Sequence, residues 1–382
     1  MTRTLGVGIV GCGNISQSYL TQAPRFRGIE IRACADLNED AARARAEEFG
    51  VRAETVDGLL ASDDIDIILN LTIPSAHYAV SRQALEAGKH VYSEKPFVLD
   101  VAQGQELARF AESKGLRVGS APDTYLGGSH QFARHLIDQD VVGNIVGGTC
   151  HVMSHGMEHW HPNPDFFFKP GGGPILDMGP YYVTNLVQLI GPVKRVASIS
   201  ATPAPERTIT SQPRHGEKIT VETPTTIHAV LEFANGAVVT LGASWDVWKN
   251  GHAPMELYGA NGTLLVPDPN FFSGDVSHSE KNGDFVTGPT GWDHPFGIAN
   301  RDLPDGRKVA DYRTAGLADM AMAIVEGRAA RCGLDVALHV IDVLTSILRS
   351  GETGQFVILE TTCDRPEALG PDAARALLHD AG

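Results

Sequence analysis

Two short segments of this chain hold residue types spaced for chemistry: Gly8-Ile9-Val10-Gly11-Cys12-Gly13-Asn14-Ile15-Ser16 near its start, and His90-Val91-Tyr92-Ser93-Glu94-Lys95-Pro96 further on. In the first, Gly11 ends an apolar run and permits a tight turn, while Gly13 lets backbone approach a pyrophosphate. The third position of the pattern, where a helix packs on the strand, is Ser16 rather than Gly or Ala. In the second, a lysine ends an apparent strand and a proline restricts the chain beside it. An amine held there can hydrogen-bond an oxygen as it becomes alkoxide, then take or return the proton, and burial would lower its pKa toward the working range. Together the segments imply a nucleotide cofactor facing an acid–base lysine, which is dehydrogenase chemistry. Either segment alone also reads as an ordinary glycine turn or a surface lysine.

For the two segments to meet, they must lie on one sheet. Residues 5–10, 29–35, 65–73, 90–93 and 116–120 read as strands. Between them fall a helix from the cap Asn38 to Phe49, stopped by Gly50, a helix from Pro74-Ser75 to Gly88, and one over 100–114. Repeated β-α-β units imply a doubly wound parallel sheet. Asp36 ends the second strand where the acidic partner of a ribose belongs; its carboxylate would accept both hydroxyls and repel a 2′-phosphate, favouring NAD over NADP. The alternative for Asp36 is a turn or helix-capping aspartate. Beyond residue 121 the pattern changes. Asn235-Gly236 and Asn261-Gly262 each separate two strand-like runs, as in tight hairpins. Helices are expected over 128–139, 175–190, 314–326 and 337–349, and a long Gly-, Pro- and Asp-rich loop from Pro267 to Pro304 reads as a lid, an interface arm or plain surface. The expected fold is α/β: an N-terminal Rossmann doubly wound parallel sheet over residues 1–122, then a C-terminal α+β domain with a large, mostly antiparallel sheet over residues 123–382.

Composition narrows the partners. A length of 382 residues suits two domains, and 42% hydrophobic with 20% charged residues is ordinary for globular protein. A formal net charge of −15 opposes binding to nucleic acid or an anionic membrane. The five cysteines (Cys12, Cys34, Cys150, Cys332, Cys363) show no C-x-x-C spacing, so reduced thiols are expected rather than disulfides or a zinc site. The apolar run before Gly11 is too short to cross a bilayer and lacks a signal-peptide layout, so a soluble cytoplasmic protein is expected.

Four segments together resemble the Gfo/Idh/MocA family, named for glucose–fructose oxidoreductase, inositol dehydrogenase and rhizopine catabolism. They are the glycine turn, Leu71-Thr72-Ile73-Pro74-Ser75-Ala76-His77, Glu94-Lys95-Pro96, and Gly171-Gly172-Gly173-Pro174-Ile175-Leu176-Asp177-Met178-Gly179-Pro180-Tyr181, in family order over nearly the whole chain. The resemblance implies that Gly11, Gly13, Asn14, Ile15 and Asp36 hold the dinucleotide. Thr72, Pro74 and His77 would line it, although His77 also reads as a first-turn helix residue. Glu94 would lie beside the nicotinamide ribose, and Lys95 would share a proton with a sugar hydroxyl or ketone. Asp177 matches a catalytic motif that the family completes with a histidine four residues later; here that residue is Tyr181, followed by Tyr182. A phenol, with a reference pKa of about 10, relays a proton less readily than imidazole. Either Tyr181 is the proton donor–acceptor beside an electrostatic Lys95, or Lys95 does the acid–base work and Tyr181 orients the substrate. The second is preferred because the lysine is the family constant.

His151, His155 and His159 are spaced by four and His161 follows two residues on, but no nearby carboxylate or cysteine completes a convincing metal set, and no metal is expected. Trp160 and His161, with Asp123, Tyr125 and Tyr182, are instead candidates for a sugar pocket, pairing an aromatic face with hydrogen-bonding groups. The reading is an NAD-dependent oxidoreductase for a secondary alcohol of a sugar, glycoside or cyclic polyol, forming a homodimer or homotetramer by family analogy. The alternatives are an oxidation–elimination–reduction glycosidase without net redox, drawing a further base from His155, His161 or Tyr182, then a dihydrodiol dehydrogenase, and last an NAD sensor.

Overall fold

The computed structural model describes residues 3–288, 292–303 and 306–379. Its first sheet has six parallel strands in the order β3-β2-β1-β4-β5-β6. The strands are β1 (Leu5–Val10), β2 (Ile29–Ala35), β3 (Arg52–Ala53), β4 (Ile67–Asn70), β5 (His90–Ser93) and β6 (Val118–Ser120). Helices α1 (Asn14–Gln22), α2 (Glu39–Phe49), α3 (Val56–Ala61), α4 (His77–Glu86) and α5 (Val101–Lys114) connect them. Residues of β1 and β4 are buried throughout, as a sheet covered on both faces requires. Asn38 caps α2 by accepting from Asp40 N, and Gly50 ends it at φ 69°, as expected from their types. Strand order reverses between β1 and β4, so the crevice outside their carboxyl ends is where such sheets take ligands.

After α6 (Gly128–Asp138) the chain builds a second sheet of nine strands. In chain order the elements are β7 (Ile145–Met153), α7 (Gly173–Asp177), α8 (Gly179–Ile190), β8 (Val193–Ala201), β9 (Glu206–Thr208), β10 (Lys218–Thr220), β11 (Thr226–Phe233), β12 (Val238–Ser244), β13 (Met255–Gly259), β14 (Gly262–Val266), β15 (Ser277–Glu280), β16 (Val286–Thr287), β17 (Arg301–Asp302) and β18 (Lys308–Val309). Then follow α9 (Ala315–Glu326), α10 (Leu334–Thr353), β19 (Val357–Ile358) and α11 (Pro371–Leu377). The large sheet runs β16-β15-β14-β13-β7-β12-β11-β8-β19 and is antiparallel except for the β12/β7 pair. Both Asn-Gly pairs form hairpins, β11/β12 and β13/β14.

Two expectations change. The stretch from Pro267 to Pro304 is not only loop: β15 and β16 extend the large sheet within it, while Pro304 lies outside the described residues. The single helix expected over 175–190 is two, α7 and α8, broken at Met178 (φ −102°, ψ −30°). Pro180 explains the break, because it lacks an N–H and its ring opposes the carbonyl four residues back. The chain also returns to its first sheet. Leu317, Ala318, Met320 and Ala321 of α9 and Leu377 of α11 share a core with Leu5, Val7 and Ile9. This return seats the start of α9 against Tyr92 of β5.

Candidate active site

The glycine turn works by two different means. Gly11 has φ 103°, and a Cβ there would fall 2.6 Å from the Leu71 carbonyl oxygen, so only glycine fits. Gly13 has ordinary φ −72°, and a Cβ there would meet nothing within 4 Å. No neighbour in the fold demands that second glycine, and the space beside it is open. Gly13 also caps α1 without a side-chain hydrogen bond, leaving first-turn N–H groups for an anion. A cleft of about 760 Å³ opens beside it, lined by Gly11, Gly13, Asp36, Thr72 and Ile73. Asp36 Oδ2 accepts from Cys12 N at 2.7 Å and Oδ1 from Asn38 N at 2.8 Å. Its carboxylate is thereby fixed at the rim, with lone pairs left over. Asn14 is exposed at the start of α1, and Ile15 packs partly into the core behind it. These residues fit a dinucleotide.

Lys95 follows β5 at the same sheet edge. Its Nζ donates to Asp177 Oδ1 and to the Asp177 carbonyl, both at 2.9 Å, and lies 5.1 Å from the centroid of the Tyr181 ring. The helix break thus leaves Asp177 and Tyr181 converging on the lysine, though not as an i,i+4 pair of one helix. Burial by itself pushes the ammonium toward neutrality; the charge of Asp177, joined by Tyr181 and Glu94, outweighs it and raises the lysine above its ordinary value. This corrects the expectation of a depressed pKa, because burial here comes with a carboxylate.

Glu94 is held from two sides. Its Oε1 accepts from Tyr19 Oη of α1 and its Oε2 from Lys95 N, both at 2.9 Å. His77 is fully buried, with Nδ1 2.7 Å from the Pro96 carbonyl and Nε2 3.0 Å from that of Thr72. It ties the lysine loop to the cleft-lining loop behind the ligand space, while Pro74 starts a short 3-10 turn beyond Thr72. The Lys95-Pro96 peptide bond is cis.

Several candidate pocket residues are buried and engaged in other bonds. Tyr182 is buried on the far side of α8, donating to Asp268 Oδ1 at 3.1 Å, because adjacent helix residues face different directions. Tyr125 is buried and donates to the Arg331 carbonyl at 2.7 Å. Asp123 is 1% exposed and accepts from Thr314 N and Gly316 N, both at 3.0 Å, anchoring the start of α9. Trp160 remains at the rim, 57% exposed and edge-on to His161 at 5.3 Å, and His161 lies within electrostatic reach of Asp177. His155 stacks on Trp248 and His151 on His252; among the described residues no group of three His, Cys, Asp or Glu side chains is placed to hold a metal ion. Tyr19 and Arg313 join the site without any local sequence signal, since only the fold brings them to Glu94.

Asp123 also makes a testable pH contribution. Burial pushes its carboxyl up to about 6, against the pull of the two amides and Arg313. The unfolded value is about 3.9, so between the two the folded chain holds a proton that the unfolded chain has lost, and stability from this group falls as pH rises through that window. The stability difference between wild type and Asp123→Asn should therefore move in favour of wild type on going from pH 8 to pH 4.5, by about 2 kcal/mol at most. Urea unfolding at the two pH values checks this; a pH-independent difference would show that Asp123 ionises normally.

Comparison with known proteins accords with this arrangement. Residues 5–121 match the model for the Gfo/Idh/MocA oxidoreductase family with its NAD-binding Rossmann fold, and residues 130–265 match the Gfo/Idh/MocA C-terminal domain. An uncharacterized oxidoreductase of Schizosaccharomyces pombe is 31% identical over 39% of this chain and 40% of its own length. The levoglucosan dehydrogenase of Pseudarthrobacter phenanthrenivorans is 24% identical over 85% of this chain and 90% of its own. A levoglucosan dehydrogenase structure in complex with NADH superposes with a TM-score of 0.80 at 19% identity, covering 94% of this chain and all of that one. The chain belongs to the Gfo/Idh/MocA family of oxidoreductases.

Proposed function

We propose that this protein is an NAD-dependent dehydrogenase acting on a secondary alcohol of a sugar, glycoside or cyclic polyol. The observation that carries the reading is the Lys95 ammonium, bonded to Asp177 beside Tyr181, at the sheet edge where the glycine turn opens its cleft. A bound nicotinamide supplies the hydride acceptor or donor. Glu94, braced by Tyr19, sits beside the lysine to position the ribose, and Asp36 favours NAD over NADP. Lys95 donates to the reacting oxygen; Asp177 orients the ammonium; Tyr181 holds the hydroxyl from the side. The 24%-identical levoglucosan dehydrogenase supports a sugar-type substrate. Of the residues considered as an extra base for elimination, Tyr182 is spent on Asp268 and His155 is stacked on Trp248, which leaves only His161, in the field of Asp177, for the glycosidase reading.

The boundary near residue 122 remains our proposed division of labour, with cofactor binding before it and substrate binding mainly after it. The open face of the large sheet exposes Val146, Ile199, Val230 and Val238, which we propose a second copy covers.

The test is NADH formation against a panel of inositols, hexoses and glycosides, with NAD and NADP compared. Turnover with NAD and a lower kcat/KM with NADP are expected, and Asp36→Ala should narrow that ratio. Cofactor binding without reduction by any alcohol in the panel would count against a simple dehydrogenase.

A further inference from the structure

Arg313 has no part in the proton chemistry above, yet the fold invests in its placement. The next residue, Thr314, is a non-glycine at φ 121°, a conformation that persists only where the surroundings enforce it. The Thr314 hydroxyl is also buried without a partner among the described residues. Enforcement comes from Asp123, which accepts from Thr314 N and Gly316 N. A Cβ on Gly316 would fall 2.2 Å from the Tyr92 hydroxyl, so this turn is pressed against β5, whose end carries Glu94 and Lys95. Arg313 is thus delivered to the lysine's edge of the sheet from a distant part of the chain.

Its hydrogen-bonding capacity is incompletely used, although Asp311, Asp123 and Glu94 all lie in its field. Asp311 accepts from Arg301 at 2.8 Å through Oδ2 and from Arg313 Nη1 at 3.4 Å through Oδ1, so two guanidiniums share one carboxylate. Arg313 Nη2 donates to the Asn270 carbonyl and to Asn270 Oδ1, each at 3.2 Å. These bonds leave the Nε–H without an acceptor among the described residues, and the side chain keeps 17% exposure. The other acids in its field are Glu94, taken by Tyr19 and the Lys95 amide, and Asp123, taken by two amides. Tyr181 lies in the field of both Arg313 and Lys95, so both cations act on one phenol.

We propose that Arg313 is an anion-recognition point of the cleft, and that the substrate carries a carboxylate near the reacting hydroxyl: a sugar acid or related hydroxy acid rather than a neutral polyol. The inference rests on the dehydrogenase reading and narrows its substrate class. Lys95 takes the oxygen that reacts, and Arg313 takes the carboxylate through charge-assisted hydrogen bonds whose planar geometry a lysine cannot reproduce.

The test uses the full chain loaded with NADH, following nucleotide fluorescence while D-gluconate, D-glucuronate and other C4 to C6 hydroxy acids are titrated against their neutral amides or parent sugars. At least one acid should bind at least tenfold tighter than its neutral counterpart. Arg313→Gln should erase that preference and Arg313→Lys retain part of it, with NADH affinity equal in all three proteins. No acid preference anywhere in the panel overturns the proposal. So does an Arg313→Gln protein that loses NADH affinity, since the arginine would then serve the nucleotide. If Arg313→Gln does not fold, Arg313→Lys decides: an undiminished preference overturns the specific role of the guanidinium. Failure of wild type to bind NADH at all would instead sink the dehydrogenase reading itself.

Discussion

Lys95→Ala should lower turnover by about 10²–10⁴ while leaving NADH binding intact, the range expected for losing a positioned proton donor. The geometry separates this effect from simple unfolding. Asp177 loses its cationic partner, and an orphaned buried carboxylate costs about 3–5 kcal/mol when fully enclosed. Its side chain is 19% exposed to the cleft, however, so water and protonation relieve much of that cost. The catalytic loss should therefore far exceed the loss in stability, and Lys95→Ala/Asp177→Asn should recover stability without recovering turnover. Steady-state rates beside urea unfolding midpoints check this; equal recovery of both would mean that the pair is structural.

The direction of the lysine's shift adds a pH signature. Because Asp177 holds the ammonium protonated, carbonyl reduction, which consumes that proton, should be flat across the neutral range. Alcohol oxidation needs the neutral amine and should keep rising with pH beyond an ordinary lysine value. A bell centred near neutrality in both directions would point to another titrating group.

Gly11→Ala and Gly13→Val should fail in opposite ways. Gly11 sits at φ 103° with the Leu71 carbonyl 2.6 Å from any Cβ, so alanine strains the backbone and also displaces β4's continuation. The conformation alone costs about 1–3 kcal/mol, and the overlap adds to it. Thermal unfolding should show the loss, with nucleotide affinity following it. Gly13 accepts a side chain in both φ and space, so Gly13→Val should cost below about 1 kcal/mol, chiefly as a poorer helix cap. Its side chain would occupy the approach to the first turn of α1, and losing even two hydrogen bonds to a charged group costs on the order of a hundredfold in affinity. NADH titration and thermal melting of the two variants separate the cases. A stable Gly13→Val protein with normal NADH affinity would show that the dinucleotide does not cross this turn.

Local chemistry made much of this protein readable in advance. The parallel sheet, the capped α2 and both Asn-Gly hairpins follow from periodicity and turn residues a few positions apart. The glycine turn and Lys95 were legible for the same reason, since each belongs to a short run whose residue types are demanding, whereas Asp177 was singled out only through the family resemblance of its segment. What depended on non-local packing was not legible. Pro180 splits the helix that would have aligned Asp177 with Tyr181, yet the two still converge on Lys95 because α7 and α8 are each packed separately. Tyr182 and Tyr125 had the right chemistry for a pocket, but their side chains face cores, and only the direction of a helix face decides that. Asp123 likewise proved to anchor backbone, and His77 to join two loops. The lysine's protonation could not be judged from burial alone, because its sign depends on a carboxylate contributed by another element. Arg313 and Tyr19 carry no motif; the fold brings them to Glu94 by packing α9 and α1 around β5. The sequence by itself therefore determined the residues that chemistry requires within short runs. Tertiary structure alone decided which distant charges surround them, because charge interactions act through space and not along the chain.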